Sequence, residues 1–211
     1  MKNLLKKGLV EFLGTFFIMF AICCSMFPNS GDGFEPLAIG FVYIGAIYAW
    51  YKISGANFNP AVSFANAING DLKWTDFVLY SVVQILGAFL GALLSATIIA
   101  VPPFANEVSF NMLPMCVCEF IFTFAICSAY LGAEKDKKTL GLAVGAIAIA
   151  GFLATLGTCY GVFNPAIAVG FYALKITQTK LILATILTNF VAGAAAAGVF
   201  KLVKNDTDKV A

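Results

Sequence analysis

Apolar residues in this chain fall into long blocks separated by short polar punctuation. A helix needs about 20 mostly apolar residues to cross a bilayer core. Six blocks meet that length: 8–27, 34–52, 77–101, 114–133, 140–158 and 180–200. Turn-forming residues mark the breaks. Pro28-Asn29-Ser30-Gly31-Asp32-Gly33 follows the first block and Asn69-Gly70-Asp71 precedes the third. Pro102-Pro103 ends the third, and Glu134-Lys135-Asp136-Lys137-Lys138 separates the fourth from the fifth. Two apolar stretches remain, Pro60–Asn69 and Pro165–Leu174. Each would be about 15 Å long as a helix, half of a hydrocarbon core of about 30 Å. Irregular or broken backbone at membrane depth is tolerated only when it is buried in protein or lines a cavity. The pattern therefore predicts an all-α membrane protein, one domain over 1–211, with six transmembrane helices and two re-entrant half-helices.

The second half of the chain echoes the first, over about 8–101 and 113–203. Glu11-Phe12-Leu13-Gly14-Thr15-Phe16 matches Glu119-Phe120-Ile121-Phe122-Thr123-Phe124. Phe58-Asn59-Pro60-Ala61 matches Phe163-Asn164-Pro165-Ala166, and an amide side chain, Gln84 or Asn189, follows each Asn by 25 residues. Each half holds three spans, an odd number, so the second copy must be inverted in the membrane. Inverted 3+3 repeats with discontinuous helices place a binding or conduction site near the midplane.

Lysine placement orients the chain. With the N-terminus in the cytoplasm, Lys2, Lys6, Lys7, Lys52, Lys73, Lys135, Lys137, Lys138, Lys201, Lys204 and Lys209 fall inside, and only Lys175 and Lys180 fall outside. Both termini are expected to be cytoplasmic, in a multi-pass protein of the cell membrane. Met1-Lys2-Asn3-Leu4-Leu5-Lys6-Lys7 imitates the start of a signal peptide, but Glu11 interrupts the apolar run and no small-x-small cleavage site follows.

Composition narrows the chemistry. Of 211 residues, 61% are hydrophobic and 11% charged, far below the roughly 25% charged of soluble domains. All 13 basic residues are Lys, and His is absent. That removes imidazole bases, His metal ligands and bidentate Arg forks. A net charge of +2 offers no basic surface for nucleic acid. The six cysteines are not spaced as a disulfide framework. Cys116-Val117-Cys118 is too tight for zinc, and no second pair follows it. No enzyme activity, cofactor or metal is expected.

Asn is a favoured N-cap and Pro a favoured first helical residue, so Asn59-Pro60-Ala61 and Asn164-Pro165-Ala166 each open a half-helix. Inversion brings the two N-termini together at the midplane, each with roughly +0.5 of an elementary charge. Each Asn carboxamide can donate to the oxygen of a passing molecule. A water held by two donors cannot accept from its neighbour, which breaks a proton wire, and the positive potential repels cations. Ser54–Phe58 and Cys159–Phe163, extended and rich in small residues, offer carbonyls as a ladder of acceptors. Away from span edges, Glu11 and Glu119 are the only acidic residues in the predicted spans, about one turn in. Intramembrane carboxylates point to function; the preferred role here is accepting backbone N–H bonds from the re-entrant loops. Gly87/Gly91 and Gly141/Gly145 have the spacing of helix-packing pairs.

Together these residues resemble the aquaporin / aquaglyceroporin (major intrinsic protein) family over roughly 8–203. Ser54-Gly55-Ala56-Asn57-Phe58-Asn59-Pro60-Ala61-Val62 is similar to its first signature, and Glu11–Thr15 to its first-helix motif. The resemblance implies a homotetramer in membrane lipid, with one pore per subunit. It also implies passive conduction of water or small neutral solutes, with both Asn residues as midplane donors. It places an outer constriction at Ile39, Phe152, Gly161 and Ile167. Ile167 stands where the family usually has Arg, and Phe152 where many water-selective members have His. Ala168 replaces the Asp of glycerol-passing members, and Asn57 a common His. An apolar constriction favours solutes that desolvate easily and can gate by dewetting. Competing readings are a secondary transporter and a non-conducting structural member of the family.

Overall fold

In a hydrocarbon solvent the outer face of a protein is apolar as well as its core, and the polar side chains are kept inside. Leu86, Leu90, Leu93 and Ile98 point outward, as do Leu183, Leu187 and Val191. Glu11, Thr15, Ser63, Gln84, Glu119, Thr123 and Asn189 are buried. A computed structural model describes residues 2–26, 33–99, 110–132 and 138–207. The expected turns at Pro28–Asp32, Pro102-Pro103 and Glu134–Lys137 lie outside the described residues, as does Lys209.

Eight helices follow in order among the described residues: α1 (Lys2–Met26), α2 (Glu35–Ser54), α3 (Pro60–Asn69), α4 (Trp74–Ile99), α5 (Met112–Gly132), α6 (Leu140–Ala154), α7 (Pro165–Ala173) and α8 (Thr179–Thr207). Five of them, α1, α2, α4, α5 and α8, are long and apolar enough to cross a membrane. The sixth expected span is shorter than its apolar run. α6 stops at Ala154 rather than residue 158. Thr155 there turns its hydroxyl back onto the Gly151 carbonyl at 2.8 Å, and Gly157 takes φ +77°, which no helix continues. α1 starts earlier than its apolar block, so Glu11 lies nine residues past Lys2, well beyond the expected first turn. Glu119 likewise lies seven residues past Met112.

The short helices α3 and α7 span 10 and 9 residues, or about 15 and 14 Å. Each opens on an extended Asn followed by Pro. The helix contacts carry a two-fold pattern. α1 packs on α4 as α5 packs on α8, and α4 meets α7 as α8 meets α3. α2 crosses α6, and α3 touches α7. Exchanging α1–α4 with α5–α8 maps these contacts onto one another, as an inverted repeat requires.

Without a hydrophobic drive between helices in lipid, close backbone approach carries the packing. Gly40 and Gly145 meet at the α2–α6 crossing, where a Cβ on Gly145 would lie 2.6 Å from the Gly40 carbonyl oxygen. A Cβ on Gly91 would lie 2.7 Å from the Phe16 carbonyl oxygen of α1, and Gly87 is packed as tightly on Phe12. Because backbone cannot yield as a side chain does, Gly145→Leu is expected to destabilise the fold by about 1–3 kcal/mol. Thermal unfolding in detergent would show a lower midpoint and an early aggregated fraction on gel filtration. An unchanged midpoint would contradict the crossing.

Candidate functional site at the half-helix junction

The segment before each half-helix is kinked rather than extended. Gly55, Ala56 and Phe58 have positive φ in the first loop, as do Gly161 and Phe163 in the second. Phe58 (φ 51°) and Phe163 (φ 48°) are the informative pair. A left-handed backbone costs an L-residue about 1–2 kcal/mol, so both residues must be held in place. The N–H of Phe58 donates to Glu11 Oε2 at 2.7 Å and that of Phe163 to Glu119 Oε2 at 2.8 Å. Their carbonyls face the opposite half-helix. Asn164 Nδ2 donates to the Phe58 oxygen at 2.9 Å, and Asn59 Nδ2 donates to the Phe163 oxygen at 2.8 Å. Each Phe backbone is thus held on both sides of its Cα, at the N–H by a carboxylate of its own repeat and at the C=O by an amide of the other.

The same Asn side chains cap their helices. Asn59 Oδ1 accepts from the Ala61 N–H and Asn164 Oδ1 from the Ala166 N–H, both at 2.9 Å. Pro60 and Pro165 are each the first helical residue and have no N–H to satisfy. The reciprocal bonds bring the N-termini of α3 and α7 face to face.

Glu11 is fully buried and accepts four hydrogen bonds, two on each oxygen. Ser54 Oγ (2.6 Å) and the Asn57 N–H (3.0 Å) reach Oε1, while the Phe58 N–H and Gln84 Nε2 (2.8 Å) reach Oε2. Glu119 mirrors this with three donors, accepting from the Val162 N–H at 2.9 Å, the Phe163 N–H and Asn189 Nδ2 at 3.0 Å. Ser54 and Cys159 each stand five residues before their Asn, and each accepts from the N–H two residues on, Ser54 Oγ from Ala56 at 3.0 Å and Cys159 Sγ from Gly161 at 3.3 Å. Gln84 also donates to Ser63 Oγ at 3.0 Å, which accepts from Asn57 Nδ2 at 3.1 Å. Asn66 Nδ2 completes the chain on Asn57 Oδ1 at 3.2 Å.

The carbonyl ladder of the first loop is largely taken up by phenols. Tyr80 Oη donates to the Ser54 oxygen at 2.7 Å. Tyr130 Oη reaches the Ala56 oxygen at 2.6 Å and lies 3.4 Å from that of Asn57. Tyr43 Oη lies 3.4 Å from Asn164 Nδ2. None of these phenols was selected from the sequence. An interior Tyr in an apolar helix carries no spacing signal, and only the folded loop shows what each hydroxyl meets.

The residues expected at the outer constriction fall into two groups. Phe152 covers Gly161, where a Cβ would lie 2.8 Å from the ring. The two line a cavity of about 230 Å³ with Met26, Phe110, Tyr160 and Phe171, a predominantly apolar wall. Ile39 and Ile167 are fully buried and are not among the residues lining that cavity. Among the described residues, no group of His, Cys, Asp or Glu is arranged to hold a metal ion.

Two opposed half-helices in a bundle of spanning helices, with an inverted repeat, define an integral membrane protein with a polar junction between its two halves. The family model for major intrinsic proteins matches residues 1–200, and the chain belongs to that family. It is 32% identical over 182 residues to Aquaporin NIP1-1 of Zea mays, covering 79% of this chain and 64% of the maize protein. The chain thus spans slightly less than two thirds of that relative. It is 30% identical over 180 residues to Glycerol uptake facilitator protein-like 6 of Lactiplantibacillus plantarum, covering 79% of this chain and 82% of that one. The X-ray structure of the aquaglyceroporin from Plasmodium falciparum superposes with a TM-score of 0.85, covering 99% of this chain and 100% of that one, at 22% identity. That likeness is one of fold.

Removing the Glu11 carboxylate strands four buried donors at once. Each buried unsatisfied group costs about 1–3 kcal/mol. Glu11→Ala is therefore expected to abolish folded protein. Glu11→Gln, which keeps one acceptor oxygen and turns a donor toward donors, is expected to lower the thermal midpoint in detergent. Parent-like stability of both variants would contradict the bracing network.

Proposed function

We propose that this protein is a passive transmembrane channel for water and small uncharged solutes. The reciprocal Asn–Phe junction carries the reading. It fixes two helix N-termini head to head without an ionised side chain between them. Each terminus contributes roughly +0.5 of an elementary charge, so the junction repels hydronium and metal cations while neutral molecules pass. Each carboxamide has two hydrogens. One is spent on the opposing Phe carbonyl, and the other orients a permeant oxygen, on Asn164 once that oxygen displaces the long contact to the Tyr43 hydroxyl.

In this reading Asn59, Pro60, Ala61, Asn164, Pro165 and Ala166 form the pore midplane, and Glu11 and Glu119 brace its loops. Ile39, Phe152, Gly161 and Ile167 form an apolar outer constriction that selects for low desolvation cost. The names of the relatives, an aquaporin and a glycerol uptake facilitator-like protein, agree with solutes of this class. The chain acts as one domain with no catalytic step. It assembles as a homotetramer in membrane lipid, with both termini on the cytoplasmic side of the cell membrane. The lysine bias supports that orientation.

Stopped-flow light scattering on proteoliposomes tests the proposal with water, glycerol, urea and ammonia. Permeability above that of empty liposomes is expected for at least one, without proton leak. Values equal to empty liposomes for every solute would overturn it. Ile167→Arg is expected to narrow the solute range, and an unchanged range would remove Ile167 from the constriction.

A further inference from the structure

The two halves of the junction are not chemically equal. Asn59 and Asn164 cap their helices alike and hold the opposing carbonyl alike, yet Asn164 Nδ2 also meets the Tyr43 hydroxyl of α2 at 3.4 Å. Gly40 and Gly145, each 19 residues before its Asn, contact one another across the α2–α6 crossing, which makes them repeat counterparts. Tyr43 and Ala148, each 16 residues before its Asn, are then counterparts as well. Where the second repeat presents a methyl group, the first presents a phenol.

That phenol is placed on the site. Tyr43 is 5% exposed and lies one turn along α2 from Ile39 and one turn before Ile47, on a single buried face. Its Oη stands 3.4 Å from Asn164 Nδ2, whose other hydrogen is held by the Phe58 carbonyl at 2.9 Å. The hydroxyl therefore occupies the position from which a permeant oxygen would accept from Asn164. The bond is at the long limit for a hydrogen bond, so a water or solute oxygen can displace it. In this conformation the wall is closed around it. Asn164, Ile39 and Ile167 are 0% exposed and Asn59 is 1% exposed.

We propose that Tyr43 is a specificity-determining residue of the channel. Its ring sets the width at the midplane, and its hydroxyl competes with the permeant for Asn164. The inference rests on the channel reading above. It moves the size limit from the outer ring of four residues to the half-helix junction, on one side only.

The test compares the parent with Tyr43→Ala and Tyr43→Phe in proteoliposomes, measuring water and glycerol permeability by stopped flow. Removing the ring opens space larger than a methylene group, a fit difference worth about tenfold or more in a tight site. Tyr43→Ala is therefore expected to raise the glycerol-to-water ratio by about tenfold. It is equally expected to open a pore if the parent is closed to both. A conducting parent with an unchanged ratio in Tyr43→Ala would overturn the proposal. If Tyr43→Ala does not fold, Tyr43→Phe decides. It keeps the ring and frees the Asn164 hydrogen, so water permeability should rise at least about twofold with the glycerol limit unchanged, on the scale of a lost competing hydrogen bond. Parent-like water permeability in Tyr43→Phe would then overturn it. Should the parent match empty liposomes for water, glycerol, urea and ammonia alike, the channel reading itself fails and this inference fails with it.

Discussion

Two residues, Phe58 and Phe163, tie the structure together. Both stand in a left-handed backbone that a side-chain-bearing residue avoids. Both are held at the N–H by a buried carboxylate and at the carbonyl by an amide from the other repeat. Release of either hold would let the loop relax to ordinary φ. The carbonyl would swing away from the opposing Asn, and the two half-helices would lose their registration. A short helix of about 15 Å cannot span and has no lipid-facing role. Its position depends on this clamp, and the clamp joins two segments more than 100 residues apart in sequence.

Burial of a carboxylate in a membrane protein is ordinarily expensive. Here the expense is offset by hydrogen bonding, with four donors on Glu11 and three on Glu119. The glycines complement that arrangement. Gly193 lets α8 approach the Ala61 carbonyl of α3 to a distance at which a Cβ would lie 2.7 Å away, and Gly91 does the same between α4 and α1. Polar residues inside and small residues at crossings together set the half-helices in a rigid bundle.

Much of this was legible in the chain. The apolar blocks located the spanning helices, and Asn-Pro marked the first residue of both half-helices because capping and proline stereochemistry are local. The Glu, Asn and amide offsets announced the repeat, since three polar anchors at matched spacing are rare in apolar sequence. Other features depend on tertiary contact and left no local trace. The early end of α6 follows from Gly157 in a left-handed turn inside an otherwise apolar run. The positive φ of Phe58 and Phe163 contradicts residue preference and arises only from the clamp. Tyr43, Tyr80 and Tyr130 read as ordinary interior aromatics until the loops they meet are in place. The pairing of Ser54 with Cys159 shows only in the folded loops, where each accepts from the backbone N–H two residues on.

The central claim is that the carboxylate of one repeat and the amide of the other act on a single residue, one on its N–H and one on its C=O. A double-mutant cycle between Glu11→Gln and Asn164→Ala, read as unfolding free energy in mixed detergent micelles, tests this directly. Residues that share a partner couple by about 0.5–3 kcal/mol, whereas independent sites add to within about 0.3–0.5 kcal/mol. Because both residues hold Phe58, the second substitution should cost clearly less once the first is present. Full additivity would contradict the clamp.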